Sequence, residues 1–105
     1  MKKLTGLNEE IRGYNGLPVK GEGNKNMIIK DIILSYLAQT KNKTSKEDLI
    51  ARKLMFQIDD IKNNELEIED SHFEILKNAV ELNNLDFPAV IRGAVYEIIE
   101  NSEKG

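Results

Sequence analysis

The stretch Ile11–Asn26, IRGYNGLPVKGEGNKN, gathers four of the seven glycines and one of the two prolines immediately ahead of an apolar helical pattern. Glycine-rich turns that open a helix often hold phosphates. The first amides of a helix have no intrahelical acceptor and point outward at the positive end of the dipole. Lys20, Gly21, Gly23 and Lys25 therefore form a candidate anion-binding loop, with the amides of about Asn24 to Met27 as donors and two ammonium groups beside them. The known phosphate motifs do not fit it. Gly16 and Gly21 have the separation of the two Walker glycines, but Glu22 stands where the lysine belongs; GEGNKN begins as a dinucleotide fingerprint does, but Asn26 replaces the third glycine. The preferred reading is a structural turn at Asn15, Gly16 and Pro18. Asn15-Gly16 is the strongest short hairpin signal because both residues tolerate positive φ. Leu4, Leu7 and Ile11 precede that turn, and Leu17 and Val19 follow it.

The remaining chemistry is sparse. His72 is the only histidine, placed in the first turn of a helix beside Asp70, where it reads as a solvated helix residue. With no cysteine there is neither a disulfide framework nor a thiolate metal site, and no Ser-His-Asp or Cys-His set can be assembled. Asp59, Asp60, Glu65, Glu67, Glu69 and Asp70 invite a calcium reading, but no EF-hand loop can be laid over DDIKNNELEIED, so they read as an exposed acidic rim. Catalytic, cofactor-binding and metal-binding residues are therefore all expected to be none.

The elements that must position these groups follow from periodicity. The expected fold is mainly α: a small four-helix domain with a short N-terminal β-hairpin or irregular extended segment. Residues 1–25 form the lead-in, 26–101 the helical core and 102–105 a frayed tail, in one domain. Ile29, Ile32, Ile33, Tyr36 and Leu37 share one face of a helix over 26–40, widened by Met27, Ile28 and Leu34. A second helix over 45–62 starts at a Ser45…Asp48 capping signal and carries Ile50, Leu54, Ile58 and Ile61, with Phe56 on a flank. Leu66 and Ile68 alternate with glutamates, a period of two that predicts a short extended segment. The third helix, 70–83, buries Phe73, Leu76, Ala79 and Val80, with Ile75 and Leu82 alongside. The fourth, 87–101, opens at Pro88 with Asp86 as cap and turns Val90, Ile91, Ala94, Val95, Ile98 and Ile99 inward. Gly93 sits inside it at a cost of about 1 kcal/mol relative to alanine, which points to close approach of a neighbouring helix or of a ligand, with the helix preferred. The predicted core includes Ile33, Leu37, Leu54, Ile58, Leu76, Val95 and Ile98.

Charge and hydropathy restrict the partners. No apolar run approaches the roughly 20 residues of a membrane span, and MKKLTGLNEE has no apolar stretch behind its lysines, so a soluble, cytoplasmic chain is expected. The net charge of −3 hides an asymmetry. Residues 1–46 carry nine Lys or Arg against four Asp or Glu, and residues 47–105 carry six against fourteen. This polarity reads first as a solvated surface of uneven composition; it also suits head-to-tail homo-oligomerisation or an anionic partner on the front half. A pI near 5.2 without a dense basic run argues against a nucleic-acid binder and for a protein partner.

The order of features resembles a set of small, mostly uncharacterised proteins encoded by bacteriophages and prophages. In that set a D/N-G-x-P-I/V hairpin, here Asn15 to Val19, leads into an apolar helix. A charged helix follows, then an acidic E-L/I-x-L/I-like segment, here Glu65–Glu69, and a final helix that opens with proline and carries a tyrosine, here Pro88 and Tyr96. QTKNKTSKEDL departs from that pattern. The resemblance implies a phage or prophage accessory protein in the host cytoplasm and supplies no catalytic residues. The expected activity is non-enzymatic binding of a host or phage protein. The alternatives are an anti-defence sponge that sequesters a nucleotide, and a chaperone of tail or head assembly.

Overall fold

A computed structural model describes residues 1–83 and 85–104; Asn84, in the expected turn before the last helix, and Gly105, in the expected tail, lie outside the described residues. The chain runs β1 (Lys2–Thr5), α1 (Ile29–Gln39), α2 (Ser45–Asp59), β2 (Glu65–Ile68), α3 (Asp70–Leu82) and α4 (Ala89–Lys104). It is a mainly α domain with an extended N-terminal lead-in, and among its described residues no helix is long and apolar enough to cross a membrane.

The lead-in is more than a hairpin. β1 pairs antiparallel with β2, more than sixty residues away, in the register Lys2↔Ile68, Lys3↔Glu67, Leu4↔Leu66 and Thr5↔Glu65. The period-two segment thus finds a partner that its own sequence does not name. Gly6, at φ +81°, turns the chain, and Leu7 and Asn8 stay tied to the α2–β2 loop through Leu7 N–H to Asn64 C=O (3.2 Å) and the Asn8 side chain to Asn63 C=O (2.6 Å). The chain then meanders. Isolated antiparallel bridges join Glu10 to Ile28, Arg12 to Pro18 and Lys20 to Asn26. Met27 and Ile28, read from sequence as helical, belong to this meander, so α1 starts three residues later than expected.

The delay has a physical cause. No side chain caps α1, whose N-cap is Ile28. The first amides of the helix are satisfied by main chain instead: Ile29 N–H donates to Glu9 C=O (3.0 Å) and Lys30 N–H to Leu7 C=O (2.9 Å). That fixes the lead-in against α1 and drives Leu4, Leu7 and Ile11 into the core, where each is at most 1% exposed.

The helical faces follow the apolar spacing. Ile29, Ile32, Ile33, Tyr36 and Leu37 of α1 are buried, as are Ala51, Leu54 and Ile58 of α2. Phe73, Ile75, Leu76, Ala79 and Val80 of α3 and Ile91, Val95, Ile98 and Ile99 of α4 complete the core. Leu82 and Val90, expected inside, are exposed because they sit at the α3 and α4 ends that flank the connection. The cap of α2 is Thr44 rather than Ser45: its hydroxyl accepts from Glu47 N–H (3.1 Å) and lies 3.2 Å from the Glu47 carboxylate, a Thr-x-x-Glu arrangement one residue upstream of the predicted one. α2 ends at Asp59, leaving Ile61 half-buried beyond it. Pro88 precedes α4 and its carbonyl accepts from Ile91 and Arg92 (3.0 Å each), so Asp86 lies outside the helix. Residues 102–104 are helical rather than frayed, since Ser102 is buried and its hydroxyl donates to Lys3 C=O (2.7 Å), clamping the end of α4 to β1.

Gly93 does not mark a helix contact. A Cβ built there meets nothing within 4 Å, and the residue is exposed. Gly93→Ala should therefore raise stability by about 0.5–1 kcal/mol through backbone entropy in a thermal or urea melt; a loss would mean that the open space is needed. Leu7→Ala should cost roughly 2–5 kcal/mol, the same range as a change in the helical core, because Leu7 is fully buried. A urea midpoint within error of wild type would show that the lead-in is peripheral.

Candidate functional site

The glycine-rich segment resolves into two turns. In the first, Gly16 N–H donates to Gly13 C=O (2.9 Å) and Gly13 N–H to Leu17 C=O (2.9 Å), enclosing Tyr14, Asn15 and Gly16. Gly16 lies at φ +80° whereas Asn15 keeps negative φ, so the hairpin uses a three-residue loop with one left-handed glycine and not a two-residue turn with both residues left-handed. Asn15 Oδ1 accepts from Leu17 N–H (3.1 Å), and the Arg12 guanidinium donates to Gly16 C=O (3.0 Å). Pro18 stands in the bridge to Arg12.

The second turn carries Lys20, Gly21, Gly23 and Lys25. Gly23 (φ +66°) and Asn24 (φ +61°) are both left-handed, a conformation that glycine and asparagine tolerate best. Gly21 N–H donates to Lys25 C=O (2.7 Å), Asn24 N–H to Gly21 C=O (3.2 Å), Lys25 N–H to Glu22 C=O (3.4 Å) and Met27 N–H to Val19 C=O (2.9 Å). The amides of Asn24, Lys25 and Met27 thus bond within the chain, contrary to the outward-facing donors expected from sequence, and the start of α1 is closed by Leu7 and Glu9. Lys20 is bound to the Asn26 side-chain carbonyl, and the Asn26 amide to the Glu10 carboxylate. Only Lys25 reaches solvent without a described partner, and Glu22 stands three residues away. The loop gathers four named residues but presents no converging donors.

His72 pairs with Glu69 one helical turn away (3.3 Å). The acidic residues are spread along the end of α2, the outer face of β2 and the start of α3, and Glu65 meets the Lys3 ammonium at 3.0 Å. Between α3 and α4 lies an open groove of ≈ 460 Å³ lined by Tyr36, Glu81, Arg92, Gly93 and Tyr96, among others. The Tyr96 hydroxyl donates to the Glu81 carboxylate (3.0 Å), and this bond holds the phenol above its ordinary pKa. The same cause acts on Lys77, whose ammonium is held above its usual pKa by its hydrogen bond to Glu103.

The clearest surface feature is on α2. Phe56, read as a flank of the buried stripe, points to solvent at 61% exposure, and Leu49, two turns earlier, is 51% exposed. At about 100° per residue they lie opposite Ala51, Leu54 and Ile58, so α2 is apolar on two faces. Arg52 lies over the Phe56 ring at 4.9 Å, and beside them is a groove of ≈ 210 Å³ lined by Leu34, Arg52, Met55, Phe56 and Asp59. The sevenfold spacing of Leu49 and Phe56 was the available signal in the sequence; it was masked by the stronger stripe at Leu54 and Ile58.

No family model, curated protein or solved structure matches the chain.

Gly16→Ala should cost roughly 1 kcal/mol, since left-handed φ strains any side chain whatever the space around it. Lys20→Glu with Lys25→Glu should leave the melting curve within about 0.5 kcal/mol of wild type, as exposed charges contribute little. Calorimetric titration with cyclic and linear nucleotides should show no heat in either form. Micromolar binding in wild type that the double variant loses would restore the anion-binding loop.

Proposed function

We propose that the chain is a non-enzymatic accessory protein of phage or prophage origin that acts in the host cytoplasm by binding another protein. The observation that carries this reading is the pair Leu49 and Phe56 at the centre of the solvent face of α2. Singly exposed apolar side chains are ordinary, but Leu49 and Phe56 share one helix face, with Leu34 and Met55 beside Phe56, and an aromatic residue stacked with arginine is the kind of group that dominates protein interfaces. The origin rests on the order of features that resembles the phage set, from Asn15–Val19 through Glu65–Glu69 to Pro88 and Tyr96. An assembly chaperone would be one form of the same binding. Nucleotide sequestration draws no support from the Lys20–Lys25 turn, where the Gly21, Asn24 and Lys25 amides bond to the chain's own carbonyls.

Affinity capture from lysate of phage-infected cells tests the reading, with wild type and a Leu49→Asp, Phe56→Asp double variant as baits. Both positions are exposed, so the variant should melt as wild type does. At least one protein should fall by about tenfold or more in the variant capture, the size of a hot-spot loss. Identical captured sets from the two baits would refute the α2 face as the binding surface.

A further inference from the structure

Building on that reading, we propose that the solvent face of α2 receives an acidic amphipathic helix of the partner protein. The apolar centre of the face is short: Leu49 and Phe56 stand two turns apart, with the groove beside Leu34 and Met55 at one end. That length matches the i, i+3 or i+4, i+7 anchors of a single crossing helix rather than a broad domain face. Around the middle of the stripe the flanks are basic, with Asp48 and Asp59 beyond Arg52. Arg52 lies on one side of the stripe and Lys46 and Lys53 on the other, all three exposed, and Lys41 and Lys43 continue the charge into the α1–α2 connection. None of these five cations takes part in an ion pair of the described residues. Carboxylates on either side of a partner's apolar stripe would meet Arg52 and Lys53, steering association and setting the direction of the helix.

The same charges argue against two other occupants. In an antiparallel two-fold pairing of α2 with a second copy, Leu49 of each copy would face Phe56 of the other, Arg52 would face Arg52 and Lys53 would face Lys53, putting four cations at the centre of the interface. A lipid surface would meet the whole length of the face, including Asp59 and Asp60 at its end, whereas a crossing helix meets only the middle.

Selection of a displayed helical peptide library against the full-length chain tests the proposal. The library fixes leucines at the anchor positions and randomises the flanking positions among glutamate, lysine and glutamine, with counter-selection against Phe56→Asp. Enriched peptides should carry glutamate at the flanks and bind about tenfold or more tightly than their glutamine versions, and the advantage should shrink between about 50 mM and 500 mM salt. The Arg52→Glu, Lys53→Glu variant should reverse the preference towards lysine. Enrichment of neutral or lysine-flanked peptides on wild type would overturn the acidic assignment while leaving Phe56-dependent protein binding intact. No Phe56-dependent enrichment, together with lysate captures that do not change, would remove both readings. Phe56-dependent dimerisation in sedimentation, or Phe56-dependent binding to phosphatidylglycerol vesicles, would hand the face to a second copy or to a membrane and overturn the proposal.

Discussion

Two carbonyl groups, those of Leu7 and Glu9, hold the architecture together by accepting the first amides of α1. A helix start without a side-chain cap leaves donors whose burial costs free energy unless something else accepts them. Here the acceptors come from an extended segment, and the bond that caps the helix also fixes where that segment runs. Leu4, Leu7 and Ile11 are carried into the core by the same geometry, each burying an aliphatic side chain for roughly 1.5–3 kcal/mol. β1 then meets β2, and Ser102 closes α4 onto Lys3. The first and last turns of the chain are therefore secured by one ribbon.

This constraint explains why the front of the chain, rich in residues that suggest a ligand site, is occupied with structure. Left-handed Gly16 and Gly23 serve turns, the amides around Lys25 serve neighbouring carbonyls, and the Lys20 side chain serves Asn26. The left-handed glycines are what the meander uses to reach the point at which it caps α1. α2, by contrast, contributes Ala51, Leu54 and Ile58 to the core and also keeps an apolar pair facing water.

The parts of the fold legible in the sequence were those written in local periodicity. The stripe from Ile29 to Leu37 persists for more than two turns, and the alternation at Glu65–Ile68 needs an extended backbone. The pairing of that strand with Lys2–Thr5 was not legible, because a four-residue strand with one buried leucine has no period of its own and its partner lies across most of the chain. Met27 and Ile28 fit the apolar face of α1 by spacing, but the bridges to Glu10 and Val19 hold them extended: long-range main-chain bonds override a local pattern. Thr44 stands as cap in place of Ser45 because Glu47 sits three residues after the threonine, where its amide donates to the hydroxyl and its carboxylate accepts from it. Gly93 resembled a packing glycine, yet no neighbour approaches it, and nothing in the structure explains its choice over alanine. As for the candidate site, the spacing of its glycines and lysines does not show that the Asn24, Lys25 and Met27 amides bond to carbonyls of the meander itself.

Native-state hydrogen exchange at Ile29 and Lys30 tests the central claim most directly. If Leu7 and Glu9 are the cap on which the domain depends, these two amides should open only with the whole molecule, showing the same free energy and denaturant dependence as Ile33 and Leu37 in the middle of α1. Exchange about a hundredfold faster at Ile29 and Lys30, with little dependence on denaturant, would contradict it: the lead-in would then detach while the four helices stayed folded.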